Sequence, residues 1–456
     1  MIASNLMWVS ESSLPEKQLR YIKKALVIRP KQNSIDPFPP EPIQQYWTDG
    51  NGNIGMPFAF AEGMFPNSVI DNQTSLGFDA IFPKRPTPRD EQQKKFFDSM
   101  TESLRSFWSV FALAPTGTGK TVALLNSIAS LGRTALVVVP SVVLAEQWMD
   151  EAIRHTGVEE DAISIIQGSN ETWQGKSLVI CVIHNLYMKE WGMDFRRYFG
   201  TIAWDECHKL GARVFSETMA MFYARYKVGV TATPNRKDKC DALYKNYFGE
   251  PLVVASTKAL ACDCYALNFE HKGKAHAWIY NCVSDVKPMK WLAKHQARNN
   301  LIVDVAKNLY QSGRNVLILS KFIEHVEYLI AALSSSGIPA SEIGQFTRST
   351  STGKKKTQTQ LNEVKENCRI IVATYTMMKE GVDIPRLDAG IEALPTADAV
   401  QAIGRIRRQF PNKKKPKWFS IIDKGISLFE GYASARIKGF NQSNVNMLYI
   451  DASHLV

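Results

Sequence analysis

Residues 114–121 read Ala-Pro-Thr-Gly-Thr-Gly-Lys-Thr, between an apolar run at 107–113 and a segment of helical character at 122–128. This order predicts a strand, a glycine-rich loop and a helix. Backbone N–H groups of such a loop point inward and the helix N-terminus adds positive potential, so the loop forms a cradle for phosphate. We expect Lys120 to contact the β- and γ-phosphates of a nucleotide and the Thr121 hydroxyl to bind Mg²⁺. The nucleotide would also contact Thr116, Gly117, Thr118 and Gly119.

A second feature supports a phosphate site, because Asp205-Glu206 follows the apolar run 200–204. Adjacent carboxylates at the end of a strand suit metal-assisted phosphoryl chemistry. Asp205 would hold Mg²⁺, and Glu206 would orient and activate the attacking water. Each feature alone has a plain alternative: a glycine turn without a ligand, or carboxylates in a helix cap or solvated turn. Ala114 also departs from the glycine that opens the general pattern. Together the two features favour a nucleotide site.

Composition limits the class of protein. The 456 residues allow roughly two to three domains, and 45% hydrophobic with 22% charged residues favours ordinary folded cores. The net charge of +11 suggests a polyanionic partner, nucleic acid before membrane, without being diagnostic alone. We find neither an apolar run of membrane-spanning length nor a secretory signal. The seven scattered cysteines favour reduced thiols in a reducing cytoplasm over a zinc site.

The chain is punctuated at Pro86-Thr87-Pro88-Arg89 and at Gly249-Glu250-Pro251. Residues 1–85 are rich in proline and mixed in pattern, typical of a small α+β accessory domain or of an extension that packs on the next domain. Residues 86–250 and 251–456 each alternate strands with helices, which indicates parallel sheets that bind ligands at the carboxyl ends of their strands. The predicted strands are 107–113, 134–139, 177–183, 200–204 and 226–230, then one within 252–270, 315–319, 369–373, 387–393 and 418–422.

Six motifs, in chain order, resemble those of superfamily-2 helicases. They are Arg89–Gln92 (an upstream motif), Pro140, Leu144 and Gln147-Trp148 (motif Ia), Asp205–His208 (the DEAD/DEAH-type box), Thr231–Pro234 (motif III), Thr374 with Glu380–Pro385 (motif V), and Gln401–Arg408 (motif VI). The resemblance covers residues 86–425, and the most similar subgroup is DNA branch-migration and repair helicases, including phage UvsW-like enzymes. It implies an α/β fold with two tandem RecA-like parallel-sheet domains, which would follow the small N-terminal α+β accessory domain that the pattern of residues 1–85 suggests.

The resemblance also implies roles around ATP. Gln92 would read the adenine edge, and Gly381 and Asp383 would lie near the ribose. Two arginines of motif VI, Arg405 and Arg408, would reach the γ-phosphate from the second domain as arginine fingers. Gln401 would join the γ-phosphate or water network. The alternative for motif VI is a basic helix with a solvated face.

Contacts with nucleic acid are expected from polar groups at strand ends in both domains. Thr231 and Thr233 would couple the carboxylates to that face, although an ST-turn before Pro234 also explains these threonines. The basic loop 413–417 either contacts DNA or is solvated, and Trp173 and Trp191 fit core packing better than a role as a wedge. The candidate contacts with DNA are Ser141, Ser320, Lys321 and Thr374.

The predicted function is an ATP-dependent DNA helicase or translocase that unwinds or branch-migrates forked or branched DNA in replication, repair or recombination. Its cofactors would be ATP and Mg²⁺, and its partner single-stranded, forked or branched DNA rather than a membrane. We expect a monomeric motor in the cytoplasm, that of the host if the chain is phage-encoded. The alternatives are an RNA helicase on the same core and a nucleic-acid-binding scaffold. The scaffold is disfavoured because the residues needed for hydrolysis are all present.

Overall fold

The computed structural model describes residues 1–31, 40–115, 117–233, 236, 238–255, 259–271, 279, 282, 284–379, 384–397, 399–443 and 445–451. The chain divides into two compact units, Met1–Thr257 and Lys258–Val456. The boundaries at 85/86 and 250/251 stay predictions. Within the part of the chain that is described, no helix has the length and apolar character needed to cross a bilayer.

The N-terminal segment has an α+β fold with a core of its own, as predicted. Its five-stranded sheet has the order β5-β6-β2-β1-β7, and β3 pairs with β4 in a separate ribbon. The segment also packs on the next domain, because Gln45 Nε2 donates to Leu243 O at 2.7 Å and Asn246 Nδ2 to Gln45 Oε1 at 2.8 Å. The elements are β1 Ile2–Ala3, β2 Met7–Ser10, α1 Glu16–Ala25, β3 Val27–Ile28, β4 Ile43–Gln44, β5 Trp47–Thr48, β6 Asn53–Met56, α2 Phe58–Met64 and β7 Asp71–Asn72.

The rest of the first unit is built on a seven-stranded parallel sheet of order β10-β11-β9-β12-β13-β8-β14. Apolar clusters cover both faces of the sheet, which explains the continuous β-branched runs of its central strands. The elements are α3 Glu91–Phe107, β8 Ser109–Leu113, α4 Lys120–Leu131, β9 Ala135–Val139, α5 Val142–Thr156, β10 Ile163–Ile166, β11 Leu178–Val182, α6 Ile183–Met188, α7 Met193–Tyr198, β12 Thr201–Asp205, α8 Arg213–Ser216, β13 Tyr226–Thr231, α9 Asp241–Phe248 and β14 Val253–Val254.

The second unit repeats the architecture with a parallel sheet of order β17-β18-β16-β19-β20-β15-β21. Its central strands are again buried on both faces. The elements are β15 Asp263–Glu270, α10 Val286–Ala293, α11 Gln296–Gln311, β16 Val316–Ser320, α12 Ile323–Ser335, β17 Ile343–Phe346, α13 Gln358–Asn367, β18 Ile370–Thr374, α14 Tyr375–Lys379, β19 Ala389–Glu392, α15 Val400–Ile406, β20 Lys417–Lys424, α16 Ser427–Gln442 and β21 Asn446–Asp451.

The strand predicted within 252–270 is two strands in two different sheets. Val253 and Val254 pair with β8 in the first sheet, whereas β15 begins at Asp263 in the second. Near the phosphate loop, α3 continues to Phe107 and ends at Trp108, which has a φ of 59°, so β8 begins only at Ser109. The two RecA-like parallel-sheet domains are otherwise present as expected.

Candidate nucleotide-binding site

The glycine-rich loop connects β8 to the first residue of α4, as its sequence predicts. Gly117 and Gly119 have φ angles of 86° and 87°, in the left-handed region that only glycine adopts at no steric cost. The loop closes on itself where the Thr118 hydroxyl donates to Pro115 O at 2.9 Å. Lys120, which follows Gly119, is the first residue of α4. The N-terminal N–H groups of that helix therefore lie next to the loop. Thr116 lies outside the described residues.

Gln93 connects the start of α3 to this loop. Asp90 Oδ1 accepts a hydrogen bond from Gln93 N at 2.7 Å and so caps the helix. The Gln93 side chain accepts from Arg89 N at 2.8 Å and donates to Thr118 O at 3.0 Å. A Cβ on Gly119 would lie 2.2 Å from Gln93 Nε2, so these two residues approach closely.

The predicted adenine contact, Gln92, is exposed, whereas its neighbour Gln93 is buried. Sequence reasoning missed Gln93, although a signal existed: an Asp three residues before a Gln is a helix-capping pattern that turns the amide back toward the helix start. Of the two glutamines, Gln93 is the one that contacts the phosphate loop. The role given to Gln92 stays a prediction.

The two predicted catalytic carboxylates meet the loop lysine. Asp205 is the last residue of β12, and Glu206 follows with a φ of 52°, a left-handed conformation that is costly for a residue with a side chain. This turn directs Glu206 into an ion pair with Lys120 Nζ. Asp205 is 7% exposed, and its Oδ2 accepts from Trp148 Nε1 at 3.0 Å. Lys120, Asp205 and Glu206 therefore belong to one cluster.

Burial and charge act on these carboxylates in opposite directions. Burial disfavours ionisation of Glu206, but the Lys120 ammonium and the His208 ring outweigh it and hold the pKa of Glu206 well below its ordinary value. Burial raises the pKa of Asp205. The Lys120 ammonium opposes this rise, and the negative charge of Glu206 adds to it. Glu206 is thus kept ionised by the lysine that sits in the loop.

His208 links the carboxylates to β13. Its Nδ1 lies 3.3 Å from Glu206 Oε2 and 2.9 Å from Thr231 Oγ1. Thr231 Oγ1 also accepts from Thr233 N at 3.1 Å, the contact expected of an ST-turn. The turn and a continuous path from Glu206 to Thr231 coexist, so the turn does not exclude a coupling role for Thr231 and Thr233.

Motif VI lies on α15 and the residues after it. Arg405 is buried and Arg408 is partly buried. The neighbouring Arg407 anchors the segment, because it donates to Leu260 O at 2.9 Å and to Ser443 O at 2.8 Å. Three further predicted site residues are not placed: Gly381 and Asp383 lie outside the described residues, as does the side chain of Gln401.

The four candidate nucleic-acid contacts follow or end strands at the carboxyl edges of the two sheets. Ser141 caps α5, with its Oγ 3.5 Å from Leu144 N, and Thr374 ends β18. Ser320 is fully buried, and its hydroxyl lies 2.9 Å from His325 Nδ1. Lys321 Nζ donates to Asp285 Oδ2 at 3.0 Å. The positions agree with the predicted edge, and the contacts themselves stay predictions.

The basic loop 413–417 lies at the opposite edge of the second sheet, before β20. Three of its lysines bind other parts of the unit: Lys413 donates to Pro385 O at 2.6 Å, Lys414 to Ser312 O at 2.6 Å, and Lys415 to Asp263 Oδ1 at 2.6 Å. These bonds fix the loop within its own unit, which supports a structural role over DNA contact.

Trp173 and Trp191 pack against aromatic side chains of the first unit. Trp191 is 7% exposed and stacks on Phe195 with ring centroids 4.0 Å apart. Trp173 lies edge-on to Phe195 and Tyr198. Core packing was the expected role of both.

Two family models match the chain in order. Residues 86–236 match the model for the type III restriction enzyme res subunit, and residues 297–409 match that for the helicase conserved C-terminal domain. The chain belongs to helicase superfamily 2. As a superfamily-2 helicase it is an ATP-hydrolysing enzyme, and the matched segments contain the phosphate loop, the carboxylates and motif VI.

Relatives of this helicase include viral proteins. Putative helicase 161L of Invertebrate iridescent virus 6 is 24% identical over 86% of this chain and 88% of the relative. Putative ATP-dependent RNA helicase L396 of Acanthamoeba polyphaga mimivirus is 22% identical over 98% of this chain and 86% of the relative.

The solved structure of Dbp5 has the same fold. Dbp5 of S. cerevisiae, bound to RNA and ADP BeF3, aligns with 80% of this chain and 94% of its own at a TM-score of 0.55 and 14% identity. T4 UvsW aligns with 96% of each chain at a TM-score of 0.38 and 15% identity.

Proposed function

We propose that this helicase uses ATP hydrolysis to move along DNA and to unwind or branch-migrate forked or branched substrates. The observation that carries the proposal is the cluster of Lys120, Asp205 and Glu206, in which a loop lysine is paired with the carboxylate that would activate water. For DNA over RNA, the support is sequence pattern. The box reads Cys207-His208 where DEAD-box RNA helicases have Ala-Asp, and the motifs resemble those of repair helicases.

The residues of the cluster fit ATP and Mg²⁺. The loop and the α4 N-terminus offer a phosphate cradle, and the Thr121 hydroxyl and Asp205 carboxylate are the hard oxygen ligands that Mg²⁺ prefers. Bound Mg²⁺ would neutralise charge on the phosphates. Lys120 would then leave Glu206 for the phosphates. Glu206, ionised and released from its partner, would accept the proton of the attacking water.

The roles of the remaining motif residues are part of the same proposal. Gln401, Arg405 and Arg408 would stabilise the γ-phosphate, and Gly381 and Asp383 would serve the ribose. Residues 1–85 would contribute binding of duplex or junction DNA. We further propose a monomeric motor that acts in the cytoplasm, in DNA replication, repair or recombination.

ATP-dependent strand separation across a substrate panel tests the proposal. The panel contains forks, three-way and four-way junctions, tailed DNA duplexes and RNA duplexes of matched sequence. We expect forks and junctions to be processed fastest, and only with ATP. Activity confined to RNA duplexes would overturn the choice of DNA, and strand separation without ATP would overturn the motor itself.

The second candidate is an RNA helicase on the same core. It is favoured by the name of the mimivirus relative, an RNA helicase that aligns with nearly the whole chain. The RNA arm of the panel separates the two candidates, because an RNA helicase would unwind RNA duplexes and leave DNA junctions intact.

A further inference from the structure

The link between β19 and the motif VI helix α15 is buried at its beginning. Ala393 and Leu394 are both 0% exposed. Connections usually run over the surface, where water satisfies their carbonyl groups. A buried link needs protein donors instead, because an unpaired backbone oxygen away from water is costly.

Three side chains from three different helices supply those donors. Arg298 of α11 donates to Ala393 O. The Tyr375 hydroxyl, at the start of α14, donates to Leu394 O at 2.9 Å. Arg436 of α16 donates to Thr396 O at 2.9 Å. The link that leads into α15 is therefore hydrogen-bonded to side chains at three of its residues, 393, 394 and 396.

The two arginines are themselves fixed by buried partners. Arg298 binds both oxygens of Asp423, at 2.7 and 3.2 Å. Arg436 Nε lies 2.8 Å from Glu392 Oε2 and 3.1 Å from Ser420 Oγ. Both guanidinium groups are almost completely buried, and paired groups of this kind rigidify their surroundings. The two arginines therefore hold the carbonyl groups of Ala393 and Thr396 in fixed positions.

Tyr375 differs from the arginines because it follows Thr374 directly at the end of β18. Its ring packs in the same apolar cluster as Ile403 and Ile406 of α15. The Tyr375 hydroxyl thus connects the residue after Thr374 to Leu394, which lies in the link that leads to the helix carrying Arg405.

We propose that Tyr375 is a positioning residue that transmits nucleic-acid contact at the end of β18 to the arginines of motif VI. This inference rests on the proposed function, since it assigns a nucleic-acid contact to Thr374 and a catalytic role to Arg405 and Arg408. The Tyr375 hydroxyl couples the two motifs, and Tyr375 contacts neither nucleotide nor nucleic acid.

The test compares Tyr375→Phe with Tyr198→Phe. The control makes the same chemical change at a tyrosine of the first unit, whose hydroxyl also donates to a backbone carbonyl, that of Lys176 at 3.0 Å. For each variant we would measure ATP hydrolysis with and without a forked DNA duplex, the Kd for that duplex, and the Tm.

For Tyr375→Phe we expect DNA-stimulated kcat to fall about fivefold to tenfold, the effect of one lost hydrogen bond, with the unstimulated rate and the Kd changed by less than about twofold. Tyr198→Phe should match the wild type. Equal stimulation in the two variants, or a parallel loss of stimulated and unstimulated rates in Tyr375→Phe, would overturn the inference. Absence of DNA stimulation in the wild type would instead contradict the proposed function.

Discussion

At the scale of single residues, the site is held ready by a pair of opposite charges. Lys120 and Glu206 neutralise each other, and the left-handed backbone at Glu206 is what brings its carboxylate to the loop. Because each of the two charges has the other as its partner, the pair is compatible with the folded state without a nucleotide. Exchange of this partner for phosphate is the step that would free Glu206 for water.

The adjacent glutamines give a matched pair of variants. We expect Gln93→Ala to raise the KM for ATP about fivefold to tenfold, since it removes the bond from the helix start to the phosphate loop. Gln92→Ala, at an exposed position with no such contact to the phosphate loop, should raise KM less. Steady-state hydrolysis of ATP measures both. A larger effect of Gln92→Ala would show that the exposed glutamine, not Gln93, serves the nucleotide.

At the scale of helices and strands, the best predictions came from segments with one physical explanation. Residues 134–139 were predicted as a strand because β-branched side chains fit a sheet covered on both faces, and β9 is Ala135–Val139. By contrast, the four-residue edge strand Ile163–Ile166 was missed, since so short an apolar run has no distinguishing period.

What the sequence could not show depends on partners far away in the chain. Val253 and Val254 form a strand only because they pair with β8 at the edge of the first sheet. The buried Arg298 pairs with Asp423, which lies 125 residues later in the chain, so no local sequence pattern predicts this ion pair. The carboxylates and the phosphate loop were predictable because each is a short local motif that follows an apolar run, whereas the bond from Gln93 to Thr118 O joins two separate segments of the sequence.

One strand carries a buried lysine that makes stability depend on pH. Lys227 of β13 is 2% exposed, and its Nζ lies 4.0 Å from the centroid of the Phe58 ring in α2. Burial, with help from Arg225, lowers the pKa of Lys227 from 10.5 to about 7. Between these pH values the unfolded chain holds a proton that the folded chain lacks, so this residue makes stability rise as pH rises.

Replacing the lysine should remove that dependence. We expect Lys227→Met to be more stable than the wild type at about pH 6.5, with a gap that shrinks toward about pH 9.5 as Lys227 of the wild type loses its proton. Thermal unfolding at the two pH values measures the gap. Lys94→Met, at an exposed position of α3, is the control, and a gap independent of pH would refute the account of Lys227.

At the scale of the whole molecule, two units of the same architecture place their motifs at equivalent edges. In each parallel sheet the predicted functional residues follow the carboxyl ends of the strands, where such sheets bind ligands. The first unit holds the phosphate loop and both carboxylates, and the second holds motif VI. Division of the motifs between two compact units agrees with an enzyme in which hydrolysis is linked to motion.

The most direct test of the central claim is ATP hydrolysis by the wild type, Lys120→Ala and the surface control Lys94→Ala, each with forked DNA or RNA of matched sequence. We predict that DNA raises the wild-type rate at least about tenfold and more than RNA does. The ATP hydrolysis rate of Lys120→Ala should fall at least about 100-fold while DNA binding is retained, because the change removes the phosphate contact and the pairing with Glu206 but no group proposed to contact DNA. Hydrolysis retained by Lys120→Ala, or stimulated by RNA more than by DNA, would contradict the account.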